Sequence, residues 1–278
     1  MYLPTKPSPY TTSDNFNTTI RVQIRIRPLS NPEIARNEYE CINLIDSKLL
    51  MTVSPHKDLS QKNVQFEFHE IIPKTASQQE VYTKTARPLL PGLLTGLNTT
   101  IFAYGATGSG KTYTIQGNRD DPGIVGHIIS DLFSMKEENK EKLITYKISY
   151  IEVYNENLRD LLTSVDKPVD IREDPQKGVF LVGANDILAN NRKEIMTMIK
   201  IGNRNRMQES TTKNEYSSRS HSVLQILVES VDRTEGVNSN LHVGKLIVSD
   251  LAGSERCEVK RGGWQGHQKV EGANINRS

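Results

Sequence analysis

TTIFAYGATGSGKT, residues 99–112, is a β-branched and aromatic run that passes straight into a glycine-rich loop. Its second half, GATGSGKT at 105–112, fills every fixed position of G-x-x-x-x-G-K-[ST]. The pattern has a direct physical reading. Gly105, Gly108 and Gly110 let the backbone curl so that N–H groups along Ala106, Thr107 and Ser109 can face phosphate oxygens, Lys111 adds a mobile positive charge, and the Thr112 hydroxyl is placed to ligate Mg²⁺. TTIFAY reads as the strand feeding this loop, and a helix is expected to start near Gly110. A strand, a glycine loop and a helix in that order separate a triphosphate site from an ordinary glycine turn.

Working outward from the loop, strands and helices alternate. Ile20, Val22, Ile24 and Ile26 alternate with Arg21, Gln23, Arg25 and Arg27, the period-two pattern of a strand that Pro28 ends. A short strand is expected at 64–68. Residues 77–94 have helical content, but Pro88 and Pro91 each remove a backbone donor and should interrupt it. Downstream, 126–135 reads as a helix, 143–154 as a long strand, 157–162 as a short helix, 179–188 as extended and 192–204 as a helix. Two more strand-like runs, 223–231 and 241–248, lead to Asp250. Such interleaving predicts an α/β fold. The class expected is a P-loop NTPase three-layer sandwich with a central, mostly parallel mixed sheet flanked by helices.

DLAGSE, 250–255, begins where the apolar run LIVS stops. An acidic residue at a strand end can hold the hydration shell of Mg²⁺, and a glycine three residues later can offer its N–H to a γ-phosphate. Asp250 and Gly253 occupy those positions. Guanine-nucleotide proteins combine similar elements with an N-K-x-D base-reading motif, and none occurs here, so ATP is favoured over GTP.

Composition excludes several other classes. Lys and Arg number 35 against 33 Asp and Glu, a formal charge of +2, which lacks the basic excess that drives nucleic-acid binding. Cys41 and Cys257 form neither a disulfide framework nor a zinc pattern, which fits a reducing cytoplasm. No apolar run is long enough to span a bilayer, so no membrane partner is expected. Residues 1–18 are rich in Pro, Ser, Thr and Asn and read as a flexible leader, with the folded domain at 19–278.

GATGSGKT, NEYSSRSH at 214–221 and DLAGSE, in that order, closely resemble the phosphate loop, switch I and switch II of kinesin motor domains. RIRP at 25–28, TIFAYG at 100–105 and SYIEVYNENLRDLL at 149–162 extend the likeness. The resemblance implies a Mg·ATP-hydrolysing motor that works on microtubules in the cytoplasmic cytoskeleton. It places Arg25 and Pro28 beside adenine with Tyr113 as a stacking candidate, and Asn214 at the nucleotide pocket. It makes Ser218 a magnesium-side hydroxyl, Ser217 a γ-phosphate or water contact, and Arg219 with Glu255 the ion pair that closes the site. Catalysis is then positioning and charge stabilisation, with Glu255 as a proton-relay member and His221 as a structural donor.

Several features depart from the family pattern. Ala106 stands where kinesins commonly have Gln, and the stretch after DLAGSE, 256–272, is more basic and bulky than usual. EGANINRS, 271–278, is similar to the start of the helix after switch II, so the motor domain is read as incomplete, its principal tubulin-facing helices and any dimerising coiled coil lying beyond. IREDPQKG at 171–178 and NRNRMQ at 203–208 resemble kinesins that shorten microtubule ends, which makes a depolymerase of the same fold the alternative function. A nucleotide-binding module without motor activity is the other.

Overall fold

The computed structural model describes residues 20–52, 63–165, 167–175, 178–208, 219–233 and 240–255. The leader expected at 1–18 lies outside the described residues, as do Asn214, Ser217, Ser218 and the basic stretch after residue 255. Contacts divide the chain into two compact units, Met1–Ala76 and Ser77–Ser278.

In the first unit, β1 (Gln23–Arg25) ends in the RIRP element and leads to α1 (Asn31–Ala35). Glu33 explains the local geometry: it closes a capping box on Ser30 and takes two hydrogen bonds from Arg27, at 2.7 and 2.5 Å. Arg27 also donates to the carbonyl of Pro28, at 2.9 Å, so the end of the strand is braced by a residue between the two singled out above. The Arg27 guanidinium, followed by the Ser30 amide and hydroxyl, holds the Glu33 carboxyl far below the usual carboxylate range. β2 (Ile42–Leu44), β3 (Leu49–Thr52) and β4 (Gln65–Glu67) form an antiparallel sheet, and β5 (Glu70–Ile72) pairs in parallel with β1.

The second unit opens with α2 (Gln78–Thr85), capped by Ser77, whose hydroxyl accepts from the Glu80 amide while Glu80 accepts from the Ser77 amide. Pro88 and Pro91 then do what their missing donors require: a 3₁₀ turn at Arg87–Leu89 separates α2 from the short α3 (Leu90–Leu93). β6 (Thr99–Ala103), α4 (Lys111–Gln116), α5 (Ile124–Glu138), β7 (Lys142–Tyr154), β8 (Asn157–Asp160), β9 (Asp170–Asp174), β10 (Gly178–Val182), β11 (Ile187–Ala189), α6 (Arg192–Gln208), β12 (His221–Asp232) and β13 (Leu241–Asp250) follow.

The main sheet runs β11-β7-β12-β13-β6, with β8 on β7, while β9 and β10 form a separate hairpin. The sheet is mixed, as expected, but its parallel pairing among the described residues is β6 with β13; the other pairs are antiparallel. The expectation of a mostly parallel sheet is therefore corrected. Parallel neighbours need a crossover, and the connection between β12 and β13 is too short for one. The helix expected at 157–162 is also corrected: β8 turns back along β7 because Asn155 and Glu156, at φ 50° and 64°, make a tight reversal.

Among the described residues, the helices that touch this sheet lie on one face. Leu224, Ile226 and Val228 of β12 are buried there with Leu246 and Val248 of β13, whereas the alternating Val223, Gln225, Leu227 and Glu229 are only half-buried. Ile128, Ile129 and Leu132 of α5 are fully buried, as are Tyr146 and Ile148 of β7, and the Tyr146 hydroxyl donates to the Leu132 carbonyl at 2.5 Å. Each such fully buried side chain contributes about 1.5–3 kcal/mol. Among the described residues the fold thus supplies the sheet and one helical layer, and no helix is long and apolar enough to cross a membrane.

Candidate functional site

Strand pairing assembles the site. β6 and β13 run in parallel with Ala103 beside Asp250, so the glycine loop and DLAGSE leave the same end of the sheet. β12 runs opposite to β13 with Ser222 beside Asp250, which brings the chain following NEYSS to that end too. Ligands in open α/β sheets bind outside the carboxyl ends of strands, and this is such a place.

The loop itself is held by its glycines. Gly108 and Gly110 have φ of 78° and 94°, a left-handed conformation that a side chain would strain. Lys111 donates to the carbonyls of Gly105 and Ala106, at 2.8 and 2.9 Å. Burial lowers the Lys111 pKa, partly opposed by the charges of Asp250 and Glu255. Both the carbonyl contacts and the two nearby carboxylates show an ammonium directed at the mouth of the loop.

Thr112 and Asp250, the residues read as magnesium-side, are brought together: the Thr112 hydroxyl donates to Asp250 Oδ2 at 2.7 Å. Asp250 is 1% exposed, and its Oδ1 has no hydrogen-bond partner. A buried carboxylate oxygen left with full acceptor capacity, next to a hydroxyl, is the hard-oxygen environment that Mg²⁺ with its water shell prefers. The residues present fit the ion.

What holds Asp250 was not anticipated. Arg206, 5% exposed near the end of α6, donates to Asp250 Oδ2 at 2.9 Å, to the Ser220 carbonyl at 2.8 Å and to the Ser222 hydroxyl at 3.1 Å. Glu152, also buried, lies 3.8 Å from its Nε. One guanidinium therefore ties α6, the start of β12, β7 and the start of DLAGSE. Gly202 makes this possible, since a Cβ there would overlap the Tyr150 ring and push α6 off β7. The signal was in the sequence: Ile195, Ile199, Gly202 and Arg206 share one helical face, and a charge on an apolar stripe asks for a buried partner.

DLAGSE is tied down on both sides of Gly253. The Ala252 amide donates to His221 Nδ1 at 3.2 Å, and the Ser254 amide to the Gly105 carbonyl at 3.1 Å. His221 accepts here, where a donor had been expected. Glu255, read as the partner of Arg219 once a γ-phosphate closes the site, has its carboxylate on Thr107 here, taking a hydrogen bond from the Thr107 amide at 2.9 Å and another from its hydroxyl. Burial pushes the Glu255 pKa up, but the Thr107 hydroxyl and amide, the Glu255 amide and the Lys111 charge together leave the group below its ordinary value. Tyr113 is held as well: its hydroxyl donates to Asp121 at 2.6 Å and its carbonyl accepts from Gln78. Arg25 and Pro28 belong to the first unit.

Comparison with known proteins agrees on one relationship. The family model described as kinesin motor domain matches residues 25–278. Mouse kinesin-like protein KIF18A is 37% identical over 96% of this chain and 32% of its own length. Kinesin-like protein 5 of Schizosaccharomyces pombe is 42% identical over 78% of the chain and 25% of its own, and rice kinesin-like protein KIN-8A is 40% identical over 95% and 34%. The chain spans about a third or less of the length of these relatives. A solved structure described as a fast kinesin, with implications for ATPase mechanism and interactions with microtubules, superposes with a TM-score of 0.81 at 27% identity, over 92% of this chain and 71% of that one.

Proposed function

The chain belongs to the kinesin motor-domain family, and from that membership we propose that it binds Mg·ATP at this site and hydrolyses it as a microtubule motor. The observation that carries the reading is the Thr112–Asp250 hydrogen bond, with the second Asp250 oxygen unengaged beside the Lys111 loop. The Mg²⁺ ion, when bound, neutralises charge on the terminal phosphates. Thr112, Asp250 and Ser218 are the residues that would hold it.

The remaining work falls to the chain's own groups. Lys111 exchanges its two carbonyls for phosphate oxygens, and the loop amides from Gly105 to Thr112 surround them. Asn214 and Ser217 border the phosphates, Gly253 offers its amide to the terminal one, and Arg219 meets Glu255 to shut out bulk water and align the attacking water. Hydrolysis removes the group that draws them together, and the switches part. Arg25, Pro28 and Tyr113 are proposed for adenine. Tubulin, an acidic surface, is the proposed partner, with Lys260, Arg261 and Lys269 among the groups that would meet it, and dimerisation would require a coiled coil outside these residues.

Titration calorimetry of the chain with Mg·ATP and Mg·ADP tests the site. Lys111→Ala should lower nucleotide affinity by at least tenfold, because the loop loses its cation facing the phosphates. Equal affinities for parent and variant would sink the phosphate-loop assignment.

A further inference from the structure

Glu255 occupies a place that its expected role does not explain. A carboxylate meant to close the site on Arg219 is found gripping the phosphate loop, through both the amide and the hydroxyl of Thr107. The grip is supported on either side. Ser254 donates to Gly105, the first residue of the same loop, and Ala252 donates to His221, so the backbone on both sides of Gly253 presents Glu255 to the loop in this arrangement. A Cβ at Gly253 would touch both the Glu255 carboxylate and the Thr107 hydroxyl, which puts all three residues at one spot. That spot is where Gly253 would meet a terminal phosphate.

We propose that Thr107 is a specificity-determining residue, the receptor through which the Glu255 carboxylate competes with the third phosphate of a nucleoside triphosphate. The inference rests on the nucleotide-binding reading above and deepens it. An amide that donates to a carboxylate cannot at the same time serve a phosphate oxygen, and two anions a few ångströms apart repel. A diphosphate ends short of Thr107 and leaves the grip intact. A triphosphate must displace Glu255 from Thr107 before Arg219 can receive it. Thr107 and Glu255 are both exposed, so replacing either leaves the packed core untouched.

This role and the closing role of Glu255 predict opposite signs, which makes them separable. If closure on Arg219 outweighs the competition, removing the Glu255 charge weakens triphosphate binding; if the competition outweighs closure, as the inference requires, removing the charge strengthens it. The experiment is equilibrium binding of Mg·ADP and of a non-hydrolysable Mg·ATP analogue to the full chain, its Glu255→Gln, Thr107→Val and Thr107→Ser variants, and the Glu255→Gln, Thr107→Val pair. Glu255→Gln should shift the ratio of the two dissociation constants about tenfold toward the triphosphate, as expected for relief of a like-charge contact near a protein surface. Thr107→Val should move it the same way by less, Thr107→Ser should leave it in place, and the paired variant should fall short of the sum. An unchanged ratio in Glu255→Gln, a shift toward ADP, or additive shifts would overturn the inference while leaving the site assignment standing. Failure of the unaltered chain to bind either nucleotide would instead overturn the site assignment, and the inference with it.

Discussion

Asp250 and Glu255 stand five residues apart at one end of one sheet, yet they are held in opposite ways. Asp250 is buried, and one of its oxygens takes hydrogen bonds from a buried arginine and a threonine that belong to different helices. Glu255 is exposed, and it is held by the amide and hydroxyl of a single loop residue. The first arrangement is expensive to disturb, because releasing Asp250 strands a charge in a low-dielectric interior. The second can be exchanged for another partner at small cost, because water and salt screen what is lost. A site that must hold a metal in place and also open and close needs one carboxylate of each kind.

The comparison breaks most readily at Arg206. Arg206→Ala leaves the Asp250 and Glu152 carboxylates buried beside an empty volume, and it should destabilise the chain by about 3–5 kcal/mol in chemical denaturation. Glu255→Ala, measured alongside, should stay within roughly 0.5 kcal/mol of the parent, since exposed contacts of this kind contribute little. Comparable losses in the two variants would show that burial is not what separates the carboxylates.

The two halves of the site were also unequally legible. The phosphate loop declares itself through residue types whose geometry is local: glycines at left-handed positions, a lysine and a threonine at fixed offsets, and β-branched residues before them. Its strand and helix accordingly lie where they were expected, at Thr99–Ala103 and Lys111–Gln116. Asp250 was found for the same reason, as an acid at the end of an apolar run. Arg206 was not, because its significance lies in partners 14 to 54 positions away, at Ser220, Ser222, Asp250 and Glu152. The helical period could have marked it as a charge on a buried face, but not have named those partners. The turn at Asn155 and Glu156 is hidden for a different cause: N-E-N lacks the glycine that usually marks such a reversal, so the residues of β8 read as a helix. Sheet direction is hidden too, since alternation of strands with helices suggests crossovers even where a hairpin joins β12 to β13.

The gentlest test concerns the acid titration of Glu255. Its folded-state pKa lies below the ordinary carboxylate value, burial pushing it up and the Thr107 hydrogen bonds, with the Glu255 amide and the Lys111 charge, together pulling it down further. A group depressed on folding contributes stability above its unfolded pKa and loses that contribution as pH falls through the folded one. The stability difference between parent and Glu255→Gln should therefore be constant near neutral pH and fade only on acidification through the carboxylate range. Carboxyl-carbon NMR reads the same effect residue by residue. In Thr107→Val the Glu255 resonance should titrate at higher pH than in the parent, because a hydroxyl donor to the charged form is gone while the amide donor stays. The displacement will be small, since an exposed carboxylate recovers much of what it loses from water. Identical titrations in parent and variant would mean that the Thr107 hydroxyl does not hold Glu255 in solution, and Glu255 would then differ from Asp250 in having no partner at all in the loop beyond one backbone amide.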